Sequence, residues 1–160
     1  MVPAEIVSAA EDCEGDDEHF QRIRNWVDSG GDVNDSGGNS WHRQDLCLLS
    51  RSNHPHLTKF LLERGADVNC VSESGMTPLY YSCGIPNRGG TDIINMLLDA
   101  GANVNAASTR SCAFPMARGW ATPLDVAKGV GFDELVEELG LRGGTAFEHL
   151  HAYAGPQGRV

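Results

Sequence analysis

The stretch LLERGADVNCVSESGMTPL, residues 61–79, packs a leucine pair, Gly65, Asp67-Val68-Asn69, Gly75 and Thr77-Pro78-Leu79 into one short segment. Gly65 follows a helix-forming run, where a residue able to take positive φ lets the chain leave the helix and turn. Thr77 can cap a new helix by accepting from a backbone amide one turn in, and Pro78 suits the first helical position, where no amide donor is missed. One helix ends and another begins, as at the joint between two structural units. An enzyme loop could carry the same residues, so recurrence decides between the two readings.

The pattern recurs. GADVN at Gly65 to Asn69 returns as GANVN at Gly101 to Asn105, with a weaker relative, GGDVN, at Gly30 to Asn34, at spacings of 35 and 36 residues. Thr77-Pro78-Leu79 returns at Thr122-Pro123-Leu124. Between the markers lie two short helical patterns per unit, clearest at Ile93, Ile94, Met96, Leu97 and Leu98, a spacing that lines one helix face. In phase, these motifs resemble the ankyrin repeat, whose unit of about 33 residues opens its first helix with T-P-L-H-x-A and follows its second with G-A-D-V-N. The resemblance implies an all-α solenoid of stacked helix-turn-helix units joined by β-hairpin-like loops. It covers about residues 4 to 144 in four units, approximately 4–34, 35–69, 70–105 and 106–144, leaving 145–160 as a tail.

Departures from the family pattern are specific. Gln44-Asp45-Leu46 stands where Thr-Pro-Leu is expected, so the first helix of the second unit lacks its usual cap. Tyr80, Asp125 and Cys47 replace the histidine after T-P-L, while Asn53-His54 occupies the place of the family's Gly-His between helices. Extra residues fall near Cys13 to Asp16, Gly37 and Pro86 to Gly89, with the longest run between Asn105 and Thr122. Two short helices cannot bury enough apolar surface to offset the entropy of ordering them, so each unit must cover its neighbour's apolar face. The ends then need polar outer surfaces, which the acidic first helix region and Asp133, Glu134, Glu137 and Glu138 supply.

Composition agrees with one soluble domain: 160 residues, 41% hydrophobic and 21% charged. No window approaches the apolar length needed to span a bilayer, and Met1 to Ala10 lacks the basic start and apolar core of a secretory leader. The five cysteines are odd in number and scattered, without a C-x-x-C pair, and are expected as reduced thiols in the cytoplasm or nucleus. A net charge of -10 repels phosphate backbones and argues against nucleic acid as a partner. No G-x-S-x-G, P-loop or H-E-x-x-H is present, and nothing local brings a cysteine nucleophile to a histidine base. No cofactor, metal or catalytic residue is expected. His54 and His56 flank Pro55 at a turn between helices, a structural place rather than a ligand pair, and His149 and His151 are expected at the surface.

What remains is recognition. The family's hairpin tips and first helices form a concave groove whose variable positions face a protein partner. Here these are Trp41, Arg43 and Arg51 in the second unit and Glu73, Ser74, Met76 and Tyr81 in the third. The 106–121 insertion adds Arg110, Phe114, Met116, Arg118 and Trp120, of the aromatic and arginine types that dominate interface energetics. The resulting expectation is a non-enzymatic scaffold or interaction module, monomeric, with one protein partner in this groove. Alternatives are a regulatory inhibitor of a kinase-type enzyme, which shares length and repeat count, and a substrate of an asparaginyl hydroxylase. In the family such an enzyme favours a leucine eight residues before the modified asparagine; Asn69 has Leu61 there and Asn105 has Leu97, whereas Asn34 has Trp26. The acidic run from Glu11 to Glu18 is a further docking candidate for a basic partner. In the tail, Phe147, Leu150 and Tyr153 repeat at three-residue spacing, as in a short docking helix ended by Gly155-Pro156.

Overall fold

Where the sequence offers a threonine before Pro-Leu, a helix starts. In a computed structural model of the chain, which describes residues 2–13, 17–35, 48–52, 54–72, 75–84, 90–108 and 120–147, the Thr77 hydroxyl accepts from the Tyr80 amide at 3.2 Å. Thr122 does the same for Asp125 at 3.3 Å, and Asp125 answers by accepting from the Thr122 amide at 2.9 Å. Asp125, which stands in place of the family's histidine, thus closes a reciprocal capping box. Each proline sits in the first turn, where its missing N–H costs nothing.

Among the described residues four helix pairs result: α1 (Ala4–Asp12) with α2 (Glu18–Asp28), α3 (Leu48–Arg51) with α4 (Pro55–Glu63), α5 (Pro78–Cys83) with α6 (Gly90–Asp99), and α7 (Pro123–Val130) with α8 (Asp133–Leu141). The first helices form a row in which α1 packs on α3, α3 on α5 and α5 on α7. Sandwiched from both sides, α5 buries Pro78, Leu79, Tyr80, Tyr81 and Cys83. The second helices flank this row and are amphipathic, α6 burying Ile93, Ile94 and Leu97 while Asp92 and Asp99 face water. This is the all-α stack that the repeated motifs predict. Among the described residues there is no strand beyond an isolated antiparallel bridge between Ser108 and Ala121, at the foot of the long insertion. No described helix is long and apolar enough to cross a membrane.

The second helices end alike. Gly65 takes φ of 82° while its own amide donates to Leu62 and the Ala66 amide to Leu61, both at 3.0 Å. Gly101 repeats this at φ of 90° with donations to Leu98 and, from Ala102, to Leu97. This is the closure that satisfies the last carbonyls of a helix, and its left-handed residue explains the glycine.

Elsewhere the departures resolve individually. His54 caps α4, its Nδ1 accepting from the His56 amide at 3.3 Å, so the two histidines build a turn. Residues 44–47 and Asn53 lie outside the described residues, and α3 is described from Leu48. Asp17 in the acidic run caps α2 by accepting from the Phe20 amide at 2.9 Å, and Glu18 pairs with Arg22 at 3.1 Å. Glu14 and Asp16 lie outside the described residues. One expectation is corrected: Cys70 is disulfide-bonded rather than a reduced thiol, whereas Cys13 and Cys83 are buried thiols. The long-range loop closures that juxtapose thiols leave no local trace in a sequence.

Candidate interaction surface

Each G-x-x-V-N segment makes a turn in which the residue two before the asparagine accepts from the asparagine's amide: Asp32 from Asn34 and Asp67 from Asn69 at 2.9 Å, and Asn103 from Asn105 at 3.0 Å. The turn aims the asparagine side chain at the next unit. Asn34 donates through Nδ2 to the Gly65 carbonyl at 3.0 Å and accepts at Oδ1 from the Asp67 amide at 2.6 Å. Asn69 grips Gly101 and Asn103 at 3.1 and 2.7 Å. Asn105 grips Gly143 and Thr145 at 3.1 and 2.8 Å. Since Asp67 and Asn103 both receive one asparagine and position the next, the bonds link end to end as a relay from Asp32 to Thr145. Hydroxylation would act on a side chain already held by two bonds at Asn69 and by three at Asn105.

The relay fixes the spacing of the loops that enter the first helices. Beside it, ion pairs tie the outer helices: Arg64 to Asp28, and Arg142 to Asp99 at 2.7 Å. Phe20 and Phe60 meet edge to face at 5.4 Å between ring centroids, joining α2 to α4. The relay and these ion pairs together brace the C-terminal ends of the second helices.

The proposed contact residues fall into three places. Trp41, Arg43, Phe114, Met116 and Arg118 lie outside the described residues, as do Glu73, Ser74 and Arg110. Met76 and Tyr81 are buried against the row of first helices. Arg51, 4% exposed, is turned inward, where it donates to Glu11 on α1 at 2.7 Å. Sequence reasoning missed that pair, because partners 40 positions apart carry no shared motif. Trp120 is 55% exposed and stands directly before the Ser108–Ala121 bridge. Its ring stacks on Phe147 with centroids 6.1 Å apart and planes 10° from parallel. Phe147 in turn is held by its amide, which donates to Asp125 at 2.9 Å.

Burial pushes the Cys83 thiol up to about 12, far from a reactive thiolate. Among the described residues no group of three His, Cys, Asp or Glu side chains is placed to hold a metal ion. Arg22, Arg24, Arg51, Lys59, Arg64 and Arg142 are each engaged with carboxylates. Compared with known families, the chain matches a model described as ankyrin repeats in three copies, over residues 8–108 and again over 46–143.

Proposed function

The chain belongs to the ankyrin repeat family, and from that premise we propose that it is a non-enzymatic module that binds one protein partner. Repeats of this family are generally protein–protein interaction modules. The surface we assign to the partner is the hairpin and first-helix groove together with the 106–121 insertion. The observation that carries this reading is Trp120: a large aromatic more than half exposed, yet fixed by the bridge beside it and by Phe147 behind it. An aromatic side chain immobilised before binding loses little entropy when a partner covers it, which is how hot-spot residues gain their weight. Arg51, Met76 and Tyr81 contribute by shaping the wall of the groove, since most of their surface is already covered. The partner is a protein and not nucleic acid, a reading that the net charge of -10 supports.

The test is an affinity capture comparing the native chain with a Phe114→Ala, Met116→Ala, Trp120→Ala variant of unchanged helicity. The variant is expected to lose proteins that the native chain retains. An identical set on both would remove this surface from consideration.

A further inference from the structure

Superposed by register, Gly143-Gly144-Thr145-Ala146-Phe147 repeats Gly101-Ala102-Asn103-Val104-Asn105. Gly143 takes φ of 87° against 90° at Gly101, and the amides of Gly143 and Gly144 donate back to Gly140 and Leu139 as those of Gly101 and Ala102 donate to Leu98 and Leu97. Thr145 receives Asn105 as Asn103 receives Asn69. At the next two steps the copy departs. Thr145 has no carboxamide or carboxylate to hold the amide two residues on, and its hydroxyl turns back to Asn105 at 3.0 Å. Phe147, already helical where Asn105 lies in a turn, then stands where the relay needs an asparagine.

We propose that residues 143–147 are a degenerate inter-unit turn that terminates the relay and locks the last helix pair closed. The Phe147 amide, with no turn partner at residue 145, donates to Asp125 in the first turn of α7. The Thr145 carbonyl accepts from the Thr122 hydroxyl at 2.9 Å. The ring that replaces the asparagine folds back on Trp120 instead of reaching outward. Three contacts thus turn the outgoing clip onto the unit that made it, and a following segment finds no amide side chain at 147 to grip its carbonyl. Gly144 is part of the same device: a Cβ there would lie 2.7 Å from the Leu139 carbonyl oxygen and 3.2 Å from Val104, so the turn sits closer to the helix than those carrying Ala66 and Ala102.

Residue-resolved amide exchange by NMR on the full chain tests the proposal. In the native protein the amides of Thr145 and Phe147 are expected to exchange within about tenfold of Asn103. Exchange of either at the rate of an unstructured peptide would overturn the lock. Phe147→Ala and Trp120→Ala are each expected to speed exchange at Thr145 and in α8 by about tenfold or more, leaving α1 and α2 unchanged. A change in α8 of less than about twofold for both refutes the inference. The double variant Thr145→Asp, Phe147→Asn restores the relay's residue types but removes the ring that stacks on Trp120, so it is expected to loosen α8 as Phe147→Ala does. Native-like protection in that variant would show that the aromatic clasp is not what closes the end.

Discussion

Replacing Asn69 with alanine cuts the relay at its middle. Two bonds are lost, Nδ2 to the Gly101 carbonyl at 3.1 Å and Oδ1 from the Asn103 amide at 2.7 Å. The site is exposed, so water can take up both freed groups and no desolvated orphan remains. At a net worth of about 1 kcal/mol per bond, Asn69→Ala should destabilise the chain by about 2 kcal/mol. Asn69→Asp is the sharper comparison: it keeps the acceptor for Asn103 but sets a carboxylate oxygen against the Gly101 carbonyl, exchanging a bond for a repulsion at unchanged size. It should cost about 1 to 2 kcal/mol. Urea unfolding followed by helical circular dichroism measures both, with Asn25→Ala on the exposed face of α2 as a control expected within about 0.5 kcal/mol of native. If Asn69→Ala matches that control at unchanged m, the relay contributes nothing to the stack and the reasoning fails.

Other outcomes follow from the same contacts. Thr122→Ala removes both the α7 cap and the bond to Thr145 and should cost about 1–2 kcal/mol by the same assay, while Thr122→Ser restores most of it. Gly101→Ala meets no atom within 4 Å, so its cost is conformational alone, about 1 kcal/mol for a side chain held at φ of 90°. Leu97→Ala empties a fully buried site between helices and should lower stability by about 2–5 kcal/mol. Cys83, with its thiol pushed up to about 12 from an ordinary 9.0, should resist thiol reagents at pH 8 until the chain unfolds. Because the folded value is the higher one, its contribution to stability is intact below pH 9 and declines as pH rises from there toward 12, which unfolding curves across that range would reveal.

Local punctuation made the architecture legible. Thr77-Pro78, Thr122-Pro123, Gly65 and Gly101 act through caps and φ values set by their immediate neighbours, so they announce helix ends in any context. The apolar positions Ile93, Ile94 and Leu97 were readable for the same reason, through periodicity, and all three are buried. The candidate surface was less legible. Arg51 looks like a solvent-facing arginine until α1 brings Glu11 against it. Phe147, helical as the tail spacing predicts, shows its place in the relay only when its register against Asn105 is drawn, while Leu150 and Tyr153 lie outside the described residues. The in-phase G-G-T-A-F was the available signal, obscured because only the glycine still matches. The disulfide at Cys70 likewise depends on which loops meet, information that resides in the stack and not in any window of sequence.

The dependence of every helix pair on its neighbours can be measured most directly on one pair alone. A peptide of residues 70–105, carrying α5, α6 and the Asn69-facing turn at Gly101, should show the circular dichroism of an unfolded chain, while the 160-residue protein is helical and unfolds cooperatively. A helical spectrum from the isolated peptide with a cooperative melt of its own would contradict the account, since the pair would then stand without the seams that stacking supplies.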